Sequence, residues 1–467
     1  MKEIVSKTYC PLPFNHLYVH PTNMASVCCA FRKNEERFQL PNIKEYKNLG
    51  DHLTHPFIKD IQQKMLKGEP VSGCKTCYYA EEHGYQSMRQ KEIETWHVET
   101  FRDFTPPDLE NPKLEYMEMT FGNYCNLACR TCSSDLSHSW IDDTIELKKR
   151  GLMEGIAATS ERINIEKEWH PDDFKDLQYI KITGGEPMLH PDFPKFMEQL
   201  EKENVYCFIF TNASWVPKQR IFDMIKNFKF LQVFMSVDGT GDVQEYMRHN
   251  AKWKTTDKSV RAWMQFASSS SNVQIAWAPT WSLMNAPYFV ETCNWWLELT
   301  EEILRNTRGE WWNATKSNFI YNPSIYQMTL LPTDTKEKLK IEASEYIEEL
   351  KNKDIFGKEH IIEMAEGFIK FFDNDTMSIH LKENQYPLGK KGKPGNFLLT
   401  KIGEDVLSRD YLKMISSQIL SATNISDSSN IEISKTGASV IQHDDYRIVI
   451  TYPPFSESYE ITIVHPT

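Results

Sequence analysis

Cys125, Cys129 and Cys132 stand in the run GNYCNLACRTCS, with CxxxCxxC spacing. Three thiolates on one loop can bind three irons of a cubane 4Fe–4S cluster and leave the fourth iron open to a ligand. A zinc ion completed by a ligand elsewhere is the competing reading, but closed zinc sites use paired CxxC spacing. A second group, Cys10, Cys28 or Cys29, Cys74 and Cys77, offers four thiolates, and its CKTC run is a strong local chelate. Neighbouring residues of a strand point to opposite faces, so only one of Cys28 and Cys29 should face a metal. Cys207 and Cys293 lie in apolar runs and read as core residues.

The elements that must carry these residues follow from the pattern of apolar positions. HLYVHP and ASVCC read as a short hairpin, and PFIKDIQQKMLKG as a helix stopped by Gly68. From about Lys113 short apolar runs alternate with amphipathic stretches. The strand candidates are LEYMEMTF, LQYIKIT, VYCFIFT, LQVFMSV, VQIAWAPT and NFIYNPSIYQ, with helices such as DFPKFMEQLEKE and PKQRIFDMIKNF between them. Alternating strands and helices predict a parallel sheet with right-handed crossovers, here an α/β partial (β/α)6 TIM-like barrel. Sites in such a fold sit at the C-terminal ends of the strands. Past Pro332 two helices follow, then PLGKKGKPG reads as a linker, and a small α+β module closes the chain. The expected segments are therefore 1–95, 96–332, 333–385 and 386–467.

KITGGEP ends the second strand candidate. Gly184 and Gly185 let the backbone approach a ligand closely, and Glu186 can accept from an ammonium group. Alone, GGEP is equally a strand-to-helix turn. Together, CxxxCxxC and a GGEP on the next strand resemble the radical S-adenosylmethionine (SAM) superfamily, from about Lys113 to Pro332. The resemblance implies that Cys125, Cys129 and Cys132 hold a catalytic 4Fe–4S cluster and that Gly184, Gly185, Glu186 and Pro187 bind the SAM amino group. FTNAS and SVDG, ending the third and fourth strands, add Asn212 and Ser236 as SAM contacts, with Arg248 on the next helix as a partner for the SAM carboxylate. One departure is Thr131, where the family often has an aromatic residue. His190 reads as a helix cap or an acid–base group, and Tyr321, Asn322 and Tyr326 as strand packing or substrate contacts.

The early cysteines resemble the twitch and SPASM auxiliary domains, which carry a Gly-x4-Cys hairpin and a later cysteine pair. Asn23 falls at the glycine position, a residue that tolerates the left-handed conformation, and this alignment favours Cys28 over Cys29. The resemblance implies that Cys10, Cys28, Cys74 and Cys77 hold a second, auxiliary 4Fe–4S cluster, placed before the barrel rather than after it. Structural zinc is the alternative.

Lys and Arg number 53 against 65 Asp and Glu, a net charge of −12, which argues against broad nucleic-acid binding. No apolar run reaches a membrane span, and no signal-peptide pattern opens the chain, so a reducing, cytoplasmic setting is expected. The C-terminal run GASVIQHDDYRIVITYPPFSESYEITIVHP resembles a β-rich segment of archaeal PIN-domain ATPases. Without a GxxxxGK[ST] it is expected to be an accessory module. The radical SAM resemblance implies reductive SAM cleavage, a 5′-deoxyadenosyl radical and hydrogen abstraction from a peptide or protein side chain, with a flavodoxin or ferredoxin as electron donor. The alternatives are a small-molecule substrate such as a sugar or alcohol, a non-catalytic iron–sulfur redox sensor, and a zinc-stabilised binding module.

Overall fold

The computed structural model describes residues 6–31, 42–82, 87–94, 110–153, 158–165, 167–306, 313–320, 324–372, 376–393, 396–401, 406–423, 429–443 and 446–464. The chain divides into two units, Met1–Glu366 and Gly367–Thr467.

The first unit is built on one eight-stranded sheet. Its strands are β1 (His16–Val19), β2 (Ala25–Ser26), β3 (Tyr116–Thr120), β4 (Tyr179–Thr183), β5 (Tyr206–Thr211), β6 (Phe230–Met235), β7 (Val273–Trp277) and β8 (Asn313–Thr315). In space they run β8-β7-β6-β5-β4-β3-β1-β2. All pairings are parallel except β1 with β2, the expected N-terminal hairpin. The segment set apart as residues 1–95 thus extends the barrel sheet instead of forming a sheet of its own.

Period-2 patterning decides the two faces. In β5, Cys207, Ile209 and Thr211 are buried toward the outer layer, whereas Tyr206, Phe208 and Phe210 face the barrel interior and are only half-buried. The outer layer follows helical spacing. In the helix Trp253–Ser268 the buried residues Thr256, Val260, Trp263, Met264 and Ala267 recur along one face. Trp296, on the helix Phe289–Ile303, stacks on Trp277 of β7 at 5.7 Å, and both are fully buried. Cys293 on that helix and Cys207 are core residues, as their apolar surroundings predict.

Two sequence expectations need correction here. The sixth barrel strand is Asn313–Thr315, not the run NFIYNPSIYQ. Asn318–Phe319 instead pairs with Thr280–Trp281, and Ser324–Tyr326 is a 3-10 turn following Pro323. Tyr321 and Asn322 lie outside the described residues. The stretch read as a PLGKKGKPG linker contains the strand Leu388–Lys393, paired on both sides. Glycine and lysine display no apolar stripe, so the ladder hydrogen bonds that hold this strand leave no trace in its pattern.

The second unit is a seven-stranded antiparallel sheet with the helix Arg409–Thr423. Leu412 on that helix packs with Ile441, Ile448, Ile450 and Ile461 from the strands.

His52, on the single turn Asp51–Thr54, is fully buried, with Nδ1 3.1 Å from the Tyr46 hydroxyl. Burial lowers its pKa to about 3, helped by His16 and His55. The folded state keeps this imidazole neutral, so its contribution is present above about pH 6.5 and lost as pH falls toward 3. Through this one group, urea unfolding is expected to lose about 3 kcal/mol between pH 7.5 and 4.5. His52→Gln, which keeps a polar partner for Tyr46 but does not titrate, should lose correspondingly less. Equal losses in the two proteins would exclude His52 as the source.

Candidate active site

The loop after β3 carries Cys125, Cys129 and Cys132 and has little regular structure, so its backbone is held by groups from elsewhere. The Asn123 side chain donates to Ser134 O (2.8 Å) and Glu161 O (3.0 Å) and accepts from Ile163 N (2.8 Å). Cys125 N donates to His138 Nδ1 at 3.0 Å, Ser139 Oγ to Cys125 O at 2.8 Å, and Trp140 Nε1 to Cys129 O at 3.0 Å. Ala128–Cys129 pairs antiparallel with Arg248–His249. Cys129 and Cys125 lie near enough to Cys132 to act on its thiol, although among the described residues no three Cys, His, Asp or Glu side chains are gathered into a ready-made metal site. Burial pushes the Cys132 thiol up to about 12, with Cys129 and Cys125 adding to the rise, and burial pushes Cys125 up to about 11. Burial also raises Cys129, opposed by the Arg248 guanidinium, whose Nη1 lies 3.8 Å from Cys129 Sγ. Cys125 is buried and Cys129 and Cys132 are half-buried; three soft donors on one loop fit a thiolate-ligated cluster, and loading it must displace their protons.

The GGEP turn is packed against this loop. Gly184 and Gly185 both have positive φ, +74° and +54°. A Cβ on Gly184 would sit 2.1 Å from Thr120 Cγ2, and one on Gly185 2.3 Å from Tyr124 O. Glycine is therefore required at both positions by the approach of the turn to β3 and the cysteine loop. Glu186 N closes the contact by donating to Tyr124 O at 2.8 Å.

The Glu186 side chain departs from the sequence expectation. It is fully buried, and accepts from Thr211 Oγ1 at 2.9 Å and Asn212 N at 2.7 Å. Burial pushes its pKa up to about 7, against those two hydrogen bonds. Pro187 is buried as well. Glu186 thus ties the turn to the end of β5, which leaves the half-buried Gly184 and Gly185 as the part of GGEP open to a ligand.

Asn212 lies beside the cluster loop, donating from Nδ2 to Asn126 Oδ1 at 3.0 Å, with Cys125 Sγ at 3.7 Å. Ser236 N donates to Thr211 O at 2.9 Å, which sets Ser236 half-buried at the end of β6. Arg248 lies just past the helix Gly241–Met247 rather than within it. Its Nε donates to Asp238 Oδ2 at 2.8 Å, and Asp238 Oδ1 accepts from Thr280 N at 2.9 Å. Asp238 of SVDG is thus the anchor of Arg248, more than a turn residue. His190 caps a turn, its Nδ1 accepting from Asp192 N at 3.1 Å. Asn123, His138, Trp140 and Asp238 carry no spacing signature for their roles, because each acts on a loop remote from it or through its backbone.

Of the N-terminal cysteines, Cys10, Cys28 and Cys74 pack on one apolar cluster, and Cys77 acts on the Cys10 thiol from nearby. The Cys10 thiol is raised by burial and then by Cys74 and Cys77, and the Cys28 thiol by burial and then by Cys10, Cys29 and Cys74. Cys28 and Cys74 pack on the same apolar cluster as Cys10, with Phe14, Phe31 and Met65. Cys29 turns the other way. After burial, the group that most raises its thiol is Glu118 of β3. Asn23 has φ +64°, the left-handed conformation anticipated for it. Arg89 binds Tyr9 O at 2.7 Å and pairs with Glu81, linking the chain before Cys10 to the helix Lys75–Glu82 that holds Cys77.

The interior face of the barrel lines a half-open cavity of about 300 Å3, with residues that include Tyr179, Lys181, Phe208, Phe210, Phe234 and Lys316. Strand alternation puts Lys181, Phe210 and Phe234 on the same face as Thr183, Asn212 and Ser236, two residues farther along each strand.

The sequence model of the radical SAM superfamily matches residues 119–272, the stretch that holds the three cysteines, GGEP, Asn212, Ser236 and Arg248. The chain carries a radical SAM domain. Radical SAM domains are enzyme domains, and the family implies a 4Fe–4S cluster and SAM. Two curated relatives match over 97 residues, 21% of this chain. They are the Holliday junction branch migration ATPase PINA of Sulfolobus acidocaldarius, 41% identical over 19% of its length, and a KH and PIN-domain containing protein of Methanocaldococcus jannaschii, 43% identical over 15% of its length. The matched stretch therefore spans less than a fifth of either relative. Among solved structures, anSMEcpe with bound AdoMet is 14% identical, with 51% of this chain and 61% of that chain covered and a TM-score of 0.35. SuiB of Streptococcus suis is 12% identical, with 75% of this chain and 71% of that chain covered and a TM-score of 0.31. No helix among the described residues is long and apolar enough to cross a membrane.

Two substitutions test this architecture. Gly185→Ala forces a side chain into the left-handed region and onto Tyr124 O. It is expected to destabilise the unit by about 2 kcal/mol or more and to lower iron loading at the adjacent Cys125. Asp238→Ala leaves Arg248 buried without its carboxylate and is expected to cost about 3–5 kcal/mol. Urea unfolding and iron content of both variants check these outcomes.

Proposed function

We propose that this chain is a radical SAM enzyme that cleaves SAM reductively and abstracts a hydrogen atom from a peptide or protein side chain. The observation that carries the reading is a loop bearing three cysteines at CxxxCxxC spacing, with a GGEP turn locked to that loop. A cluster bound there supplies the electron that splits the SAM sulfonium into methionine and a 5′-deoxyadenosyl radical. In this reading Cys125, Cys129 and Cys132 are its protein ligands. The backbone of Gly184 and Gly185 receives the SAM amino group, with Glu186 fixing the shape of the turn through Thr211 and Asn212. Asn212 and Ser236 face the nucleoside. Arg248, held by Asp238, points its remaining N–H groups toward the cluster loop and the SAM carboxylate.

Cys10, Cys28, Cys74 and Cys77 are proposed to hold an auxiliary 4Fe–4S cluster that relays electrons. Four protein thiolates leave no iron open for a substrate, which supports a relay role. A reduced flavodoxin or ferredoxin is the proposed donor. A small molecule such as a sugar or alcohol is a second reading of the substrate, favoured by a cavity of about 300 Å3.

Anaerobically reconstituted protein is expected to bind about eight irons and to release 5′-deoxyadenosine from SAM on reduction by dithionite. The Cys125/Cys129/Cys132→Ala variant should retain about four irons and no cleavage. Iron bound without any SAM cleavage would favour a redox sensor, and zinc in place of iron would defeat the reading. Cys28→Ser is expected to lose the auxiliary irons, whereas Cys29→Ser should keep them. The opposite pattern would reassign the ligand.

A further inference from the structure

The cavity inside the barrel is electrically uneven. Glu118 and Lys181 are cross-strand neighbours in β3 and β4 and form an ion pair at 2.8 Å, so each answers the other. Glu92 lines the end of the cavity marked by Tyr116 and Tyr179, the first residues of their strands. Lys316 lies at the opposite end. It follows β8, and its backbone N–H donates to Trp277 O at 2.7 Å. Among the described residues its ammonium makes no ion pair or hydrogen bond with a side chain. It stands instead 5.3 Å from the Phe210 ring centre and 5.6 Å from that of Phe234. These two rings are stacked at 4.4 Å and nearly parallel. Lys181 reaches the same Phe210 ring, at 5.9 Å. Two ammonium groups thus approach one aromatic platform: Glu118 pairs with Lys181, Glu92 also acts on Lys181 from the far end, and Lys316 is exposed at the mouth.

Lys316 faces aromatic rings with a second ammonium nearby, and among the described residues no side chain pairs with it, which leaves its charge available to an incoming anion. Although Lys316 stays exposed at the mouth, desolvation by the surrounding groups and then the neighbouring Lys181 lower its pKa, opposed by Glu118. A carboxylate placed there would relieve that repulsion and accept charge-assisted hydrogen bonds, while its hydrocarbon stem would lie on the Phe210–Phe234 pair.

We infer that the barrel cavity takes a substrate group bearing a carboxylate on a short apolar stem, with Lys316 as its principal cation and the Phe210–Phe234 stack as its floor. This rests on the proposed radical SAM reading, since the cavity lies on the interior face that leads to Asn212 and Ser236. Such a group is either an acidic residue within a peptide or a free small acid. Lys316 is the residue to vary, because removing Lys181 would strand Glu118 in the barrel.

The test uses the full, anaerobically reconstituted chain and two probe pairs. One pair is 3-phenylpropanoate and 3-phenylpropanamide, and the other is a blocked tetrapeptide with an internal glutamate and its glutamine version. Binding is read by calorimetry or ligand-observed NMR. At least one acid is expected to bind tenfold or more tightly than its amide. An advantage in the peptide pair identifies a peptide substrate, and one confined to the small pair identifies a free acid. Lys316→Met should reduce the advantage to less than twofold, and Lys316→Arg should restore most of it, which separates lost charge from misfolding. Equal binding of acid and amide in both pairs, or an advantage that survives Lys316→Met, would overturn the inference. SAM cleavage by the unaltered protein is measured separately. Cleavage without acid preference defeats this inference alone, and acid preference without cleavage defeats only the proposed reaction.

Discussion

A loop that carries three thiols and little regular structure is a poor structure on its own. Its backbone N–H and C=O groups are taken from water without a ladder or helix to receive them, and each one left unpaired would cost about 1–3 kcal/mol. In this protein the deficit is met from outside the loop. Asn123, His138, Ser139 and Trp140 bind its backbone, Glu186 N closes onto Tyr124 O, and the Arg248–His249 segment pairs with Ala128–Cys129. The GGEP turn, the end of β5 and the segment after the Gly241–Met247 helix are therefore fixed relative to the three sulfurs by the same hydrogen bonds that make the loop stable. Positioning of the candidate SAM contacts and stability of the loop are one set of interactions.

Charges in this region act through one another rather than singly. Arg248 sits between Asp238 and the Cys129 thiol, and Asp238 is held by Thr280 N. Glu186 looks like an open acceptor when only its motif is read, but both its oxygens are engaged by the next strand. The same logic separates Cys28 from Cys29. The strand ends at Ser26, and the turn that follows sends Cys28 to the apolar cluster that holds Cys10 and Cys74, and Cys29 toward Glu118.

What escaped sequence reading did so for identifiable reasons. Asn313–Thr315 is only three residues long and has no apolar alternation, so the longer NFIYNPSIYQ run outcompeted it as the sixth strand. Leu388–Lys393 reads as a linker because its side chains are glycine and lysine, although neighbours on both sides supply its hydrogen bonds. The N-terminal hairpin was legible as two strands, but its parallel attachment to β3 joins residues a hundred positions apart, and no local pattern encodes such a pairing.

The sequence by itself determined the chemistry on offer: soft sulfur ligands at CxxxCxxC spacing, glycines where the backbone must turn left-handed, and strands whose period-2 runs make an α/β barrel. Those properties are local, since spacing, propensity and periodicity act over a few residues. Tertiary structure alone decided which groups face one another. It gave Glu186 to Thr211 and Asn212, Arg248 to Asp238, Cys28 rather than Cys29 to the second cysteine group, and Lys316 to a pair of stacked rings. Most of those partnerships join residues well separated in the chain, and burial, which sets the strength of the charges involved, exists only once the chain has closed around them.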